Sequence, residues 1–154
     1  MAIEFELFLE TRLTPRHIFE LILNSTSVNA RIEPSDKGEV FICIDESELT
    51  MRVFAPESVR HHILEQSLAV RPTVCVLFRF EKFGDTEVQK TKMLRLSFEL
   101  LERVPGNVAL LFNGEIVWFL RRDGELILNK NVRVWDSHLD LLTLAYEMRD
   151  IPAL

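Results

Sequence analysis

The sequence is short of the features that announce chemistry. Two cysteines, five glycines and six prolines are scattered through 154 residues, with no internal repeat, no low-complexity stretch and no linker to divide the chain. One domain over 1–154 is the economical reading. No uninterrupted apolar run approaches the ~20 residues of a membrane span. A basic surplus is also missing: 18 Lys and Arg face 24 Asp and Glu, for a net charge of −6. That balance argues against general nucleic-acid binding, which needs cations to neutralise phosphates, and against anionic membrane surfaces. The N-terminal Met1-Ala2-Ile3-Glu4-Phe5-Glu6 has neither a basic region nor a continuous apolar one. It does not read as a secretion signal, and the expected compartment is the cytoplasm.

Catalytic motifs are missing in the same way. No G-x-S-x-G elbow presents a serine nucleophile, and no Gly-rich loop of either dinucleotide or P-loop type offers a phosphate cradle. The four histidines, His17, His61, His62 and His138, form no H-x-x-x-H pair. Adjacent His61 and His62 point apart on a strand and about 100° apart on a helix, a poor geometry for one metal. Cys43 and Cys75 each sit in an apolar run and read as buried free thiols; sequence alone leaves a disulfide open. Carboxylates are plentiful, but nothing sets one apart as buried or paired, as general acid–base work requires. No cofactor, no metal and no enzymatic activity are expected.

What is present is periodicity. Ile3, Phe5, Leu7 and Leu9 alternate with Glu4, Glu6, Phe8 and Glu10, which predicts a strand. Thr14-Pro15 opens a helix, with a capping hydroxyl followed by a proline suited to the first turn. Ile18, Leu21 and Ile22 give it an apolar stripe ending near Asn24. Strands are predicted at 28–33, 39–44 and 48–54, separated by polar turns, as an antiparallel meander. Residues 55–70 allow a short helix through the Val59/Ile63 spacing, or a loop. A strand over 73–82 puts Val74, Val76, Phe78 and Phe80 on one face. A long helix over about 86–104, capped by Asp85 or Thr86, is stopped by Pro105-Gly106.

A hairpin follows, with 108–112 and 115–120 flanking Asn113-Gly114, the pair favoured where both turn residues need positive φ. Asp123-Gly124 makes a second tight turn into 125–128. The segment 115–121 is apolar on both faces, Ile116, Trp118 and Leu120 opposite Val117 and Phe119. It reads as a central strand covered on both sides, or as one with a face kept for a partner; homodimerisation is left open. The tail over 137–147 is predicted as a helix capped by Ser137, with Leu139, Leu142 and Tyr146 on one side. This order predicts an α+β fold: a two-layer sandwich, mainly antiparallel sheet with two principal helices on one face.

Six residues stand out as candidate partner contacts. Asp45, Glu46 and Glu48 form an acidic run at a predicted turn, either simply solvated or a negative patch for a basic partner. Arg121 and Arg122 close an apolar strand, as gatekeeping charges or as bidentate anchors for a carboxylate. Trp118, like Trp135, packs in the core or, if exposed, serves as an interface anchor.

The second half carries a resemblance. Leu100-Leu101-Glu102-Arg103-Val104-Pro105-Gly106-Asn107, then Leu111-Phe112-Asn113-Gly114-Glu115-Ile116-Val117-Trp118-Phe119-Leu120-Arg121-Arg122-Asp123-Gly124-Glu125-Leu126, resembles a family of small bacterial immunity proteins, the third-type partners of the swarming-inhibition toxins. Phe78-Arg79-Phe80-Glu81-Lys82, with Gln89 and Met93, and the opening Ile3-Glu4-Phe5 leading to Thr11-Arg12-Leu13, are similar to it too. The likeness is good over about 73–135 and loose before that. Its residues look structural, and no catalytic residue carries over. The resemblance implies a non-enzymatic antidote that binds a cognate toxin in the cytoplasm and blocks it. The net charge suits a toxin with a basic site. The competing reading is a stand-alone small-ligand-binding or regulatory α+β domain.

Overall fold

A computed structural model describes residues 2–154; Met1, the first residue of the segment read for a secretion signal, lies outside the described residues. Among the described residues, nine strands build one sheet: β1 (Ile3–Leu9), β2 (Ala30–Glu33), β3 (Phe41–Asp45), β4 (Thr50–Phe54), β5 (Val74–Phe80), β6 (Val108–Phe112), β7 (Ile116–Arg122), β8 (Glu125–Asn129) and β9 (Glu147–Arg149). Their order is β2-β3-β4-β5-β1-β6-β7-β8-β9. Every neighbouring pair is antiparallel except β8 and β9. The helices are α1 (Pro15–Leu23), α2 (Ser58–Leu68), α3 (Thr86–Arg103) and the short α4 (Trp135–His138). The fold is α+β, as the element order predicts.

The two-residue period decides what each face buries. Phe5, Leu7 and Leu9 of β1 share a face with Val74, Val76, Phe78 and Phe80 of β5, and the apolar stripes of α1 and α3 pack on it. Thr14 caps α1 by accepting from His17 N, with Pro15 in the first turn. Asp85 caps α3 by accepting from Glu87 N and Val88 N. These two helices are the pair expected on one face. The structure adds a third. Residues 58–68 form α2 on the opposite side of the sheet, where Leu64 and Leu68 pack with Phe8, Cys75, Ala109, Leu111, Val117 and Leu120. Val59 and Ile63, whose spacing allows a helix here, are instead its exposed residues. Arg60 pins α2 to the sheet, 3.0 Å from the Glu6 carboxylate and over the Phe8 ring.

Two expectations are corrected. Strict alternation along 115–121 fails, because the register steps from Leu110↔Phe119 to Leu111↔Val117 and leaves Trp118 as an extra residue. This bulge turns both Trp118 and Phe119 toward the α3 face, where Trp118 meets Phe5 and Trp135 and Phe119 meets Phe98. Val117 and Leu120 both go to the α2 face. The strand is thus covered on both sides, by different residues than the simple period assigns. The tail is not a helix over 137–147. Leu139, Leu141, Leu142 and Leu144 all pack against the core, a spacing that fits no single helical stripe. A 3-10 turn over Leu139–Leu141 ends at Leu142, in extended conformation, and the chain then pairs as β9 with β8. The tight turns form as expected: Asn113 and Gly114, and Asp123 and Gly124, all have positive φ.

Candidate functional site

The turn between β3 and β4 carries the acidic run. Its geometry is set by Asp45, whose side chain is fully buried. One oxygen accepts from Asn29 N at 2.7 Å and the other from Ser47 N at 2.8 Å and Lys92 Nζ at 2.9 Å. Burial pushes this carboxyl up, but the hydrogen bonds from Ser47, Lys92 and Asn29 outweigh it and hold it below the ordinary carboxylate value. Lys92 answers in kind: burial lowers its ammonium, while the bonds to Asp45 and Glu46 raise it further, above the usual lysine value. Asp45 therefore offers no surface to a partner; it holds the turn.

The surface belongs to its neighbours. Glu46 and Glu48 are exposed. Glu46 accepts from Asn29 Nδ2 at 3.1 Å and Lys92 Nζ at 3.2 Å, and these bonds lower its carboxyl. Glu48 takes the left-handed conformation that closes the turn, at φ 72°. Because β4 pairs with β5, this turn lies beside the loop from β5 to α3: a Cβ built on Gly84 would sit 3.4 Å from the Ser47 carbonyl oxygen. A groove of about 480 Å³ runs alongside. It lies between the first turns of α3 (Glu87, Val88, Thr91, Lys92, Arg95), the segment Thr26–Asn29 and Glu46. Residues 45–48 and 81–92 hold six carboxylates against three lysines, a local charge of −3. Hydrogen bonding to Lys90 lowers the Glu87 carboxyl. In the middle of this acidic end stands Phe83, 88% exposed.

The other three candidates lie elsewhere and serve the fold. Arg121 spreads its guanidinium over the end of α3, donating to the carbonyls of Leu101, Val104 and Gly106. These are acceptors the helix leaves unsatisfied. Arg122 does the same for α2 through the Leu68 carbonyl at 3.2 Å. Trp118 is half-buried, its ring 4.5 Å from that of Phe5. None of the three lines the groove, so of the six expected contacts the structure brings together Glu46 and Glu48, with Asp45 beneath them. Sequence reasoning passed over Phe83. Its signal was an aromatic residue inside a Lys-Phe-Gly-Asp turn, where neither strand nor helix period can bury it.

A second accessible surface is the α2 side of β2–β5. Its cross-strand rows mix both signs, as in Glu33, Ile42, Arg52, Leu77 and Glu6. A balanced, half-polar row is the ordinary dress of a solvated antiparallel face.

Among the described residues, no group of three or more His, Cys, Asp or Glu is placed to hold a metal ion. Burial pushes the Cys43 thiol up to about 12 and the Cys75 thiol well above its usual value, which makes both poor nucleophiles. Among the described residues, no helix is long and apolar enough to cross a membrane. A family model described as SitI3-like matches residues 3–139. No curated protein and no solved structure matches the chain.

Proposed function

The chain belongs to the SitI3-like family, and from that premise we propose that it is an immunity protein. It binds and neutralises a cognate bacterial toxin by occlusion and transforms nothing itself. It acts in the cytoplasm of the cell it protects. The observation that carries the reading beyond the family is the acidic end. Glu46 and Glu48 project from a turn fixed by the buried Asp45–Lys92 pair, beside a groove along α3.

The physics asked of such an antidote is modest. A standard interface covers about 800 Å² on each partner, roughly a tenth of this molecule's 8526 Å². The acidic end with its groove is a patch on that scale. Carboxylates at an exposed turn speed encounter with a basic surface and discriminate between partners. They suit a toxin whose own site attracts polyanions, since the inhibitor then occupies the place of the substrate.

Co-expression with whichever product of the flanking genes arrests growth when expressed alone tests the function, and the absence of any such product would count against it. The expected result is rescued growth and a stable complex on co-purification. Growth arrest in the presence of abundant, folded protein would contradict it. The charge argument has its own test. The E46K/E48K double variant is expected to slow association with that toxin at low salt, and an unchanged rate would remove the acidic turn from the mechanism. A thermal shift caused by a metabolite, with no toxin bound, would favour a ligand-binding domain instead.

A further inference from the structure

The loop between β5 and α3 is held more firmly than its position requires. Gln89, in the first turn of α3, is completely buried and is spent on this loop. Its Oε1 accepts from Glu81 N at 2.7 Å, and its Nε2 donates to the Glu81 carbonyl at 3.3 Å. Gly84 N closes the turn onto the same carbonyl at 3.1 Å. A Cβ at Gly84 would lie 2.4 Å from Gln89 Nε2, so a side chain there would displace the amide that holds the turn. Asp85 then caps the helix. At the apex of this turn Phe83 is 88% exposed, the most exposed large apolar side chain among the described residues. The Lys82 ammonium lies 5.3 Å from its ring centroid.

A flexible loop with an exposed phenyl group would lose much of its binding energy to ordering. A rigid one has met that cost in folding. Aromatic side chains that enter a desolvated pocket dominate interface energetics, and charged groups around them steer approach and register. Phe83 sits on a turn hydrogen-bonded on either side of it, at Glu81 and Gly84, with Glu81, Lys82 and Asp85 as its neighbours in the chain and the turn that carries Glu46 and Glu48 packed beside Gly84.

We propose that Phe83 is the anchor of the toxin contact, entering an apolar pocket whose rim is lined by Lys or Arg. This rests on the immunity reading above and names the chemistry of the partner's surface. A second copy of this chain is the weaker occupant. Two acidic ends brought together about a two-fold axis would place −3 against −3 across an isologous contact.

The experiment uses the full chain and the purified product of a flanking gene that arrests growth when expressed alone, with affinities measured for wild type, F83A and F83W. Phe83 touches little of its own fold, so F83A is expected to melt within about a degree of wild type. Its affinity should fall at least about 30-fold, mostly through faster dissociation, and F83W should recover most of the loss. An F83A affinity within threefold of wild type overturns the anchor while leaving the immunity function in place. Wild type failing to bind or protect instead overturns the function itself. A wild-type dimer that F83A converts to monomer, with toxin binding intact, assigns the residue to self-association and refutes the proposal.

Discussion

Replacing Asp45 by Asn separates what this residue does from what its neighbours do. The exchange keeps the shape and removes the charge. In the native turn, one carboxylate oxygen takes Asn29 N and the other takes Ser47 N and Lys92 Nζ. An amide can satisfy only one side; its NH₂ then faces a donor. Hydrogen bonds to a charged group are each worth about 1.5–3 kcal/mol, and a buried group left unpaired costs a comparable amount. Lys92 keeps Glu46 and is partly solvated, which tempers the loss to about 3 kcal/mol overall. In a domain of this size that corresponds to a fall in Tm of roughly 6–12 °C. The pH dependence has a defined sign. The folded Asp45 carboxyl lies below its unfolded value, so its stabilisation is in force above about pH 4 and fades as pH falls through the lowered folded value. Lys92 is raised, so its share is in force below about pH 10 and fades as pH rises past it. Thermal melts from pH 3 to pH 8 should show D45N far below wild type at neutral pH and approaching it in acid. Equal melting temperatures at pH 7, or a constant gap down to pH 3, would refute the reasoning.

Three further outcomes follow from the same geometry. R121M should cost about 2–3 kcal/mol by stranding the carbonyls at the end of α3, and R121K should recover little, since one ammonium cannot span three acceptors; urea melts decide this, and full recovery by Lys would contradict it. Gly106 has φ 116°, and a Cβ there would lie 2.0 Å from the Glu10 carbonyl oxygen, so G106A should lose more than about 3 kcal/mol or fail to accumulate as soluble protein; a near-native melt would contradict the contact. Cys43 and Cys75 should react with a thiol reagent at pH 8 only as fast as the protein unfolds, and rapid native-state labelling of either would show that the burial is wrong.

Much of the frame was legible because it is local. The alternation of β1, the Thr14-Pro15 start, the Asp85 cap and the Asn-Gly and Asp-Gly turns depend on residues within a few positions of one another. What escaped depends on partners far along the chain. The bulge at Trp118 is invisible in a segment apolar on both faces, since slipping one residue changes no hydrophobic match. Residues 58–68 carry almost no amphipathic signal, because Val59 and Ile63 are exposed while Leu64 and Leu68 are buried. Asp45 looks like any charge in an acidic run. Its burial depends on donors from Asn29 and Lys92, 16 and 47 residues away. The run is therefore split by its burial: Glu46 and Glu48 reach the surface, and Asp45 is the buried strut under them. Arg121 and Arg122 read as surface charge because helix ends are completed by tertiary structure, not by neighbours in sequence.

The claim that this molecule works by holding another polypeptide is tested most directly by calorimetric titration of the purified protein with a growth-arresting product of a flanking gene, in parallel with a growth assay of the pair. Tight one-to-one binding that weakens as salt rises, with growth restored only when binding is intact, is the predicted result. Protection without any complex, or a complex that leaves the toxin fully active, would contradict the account.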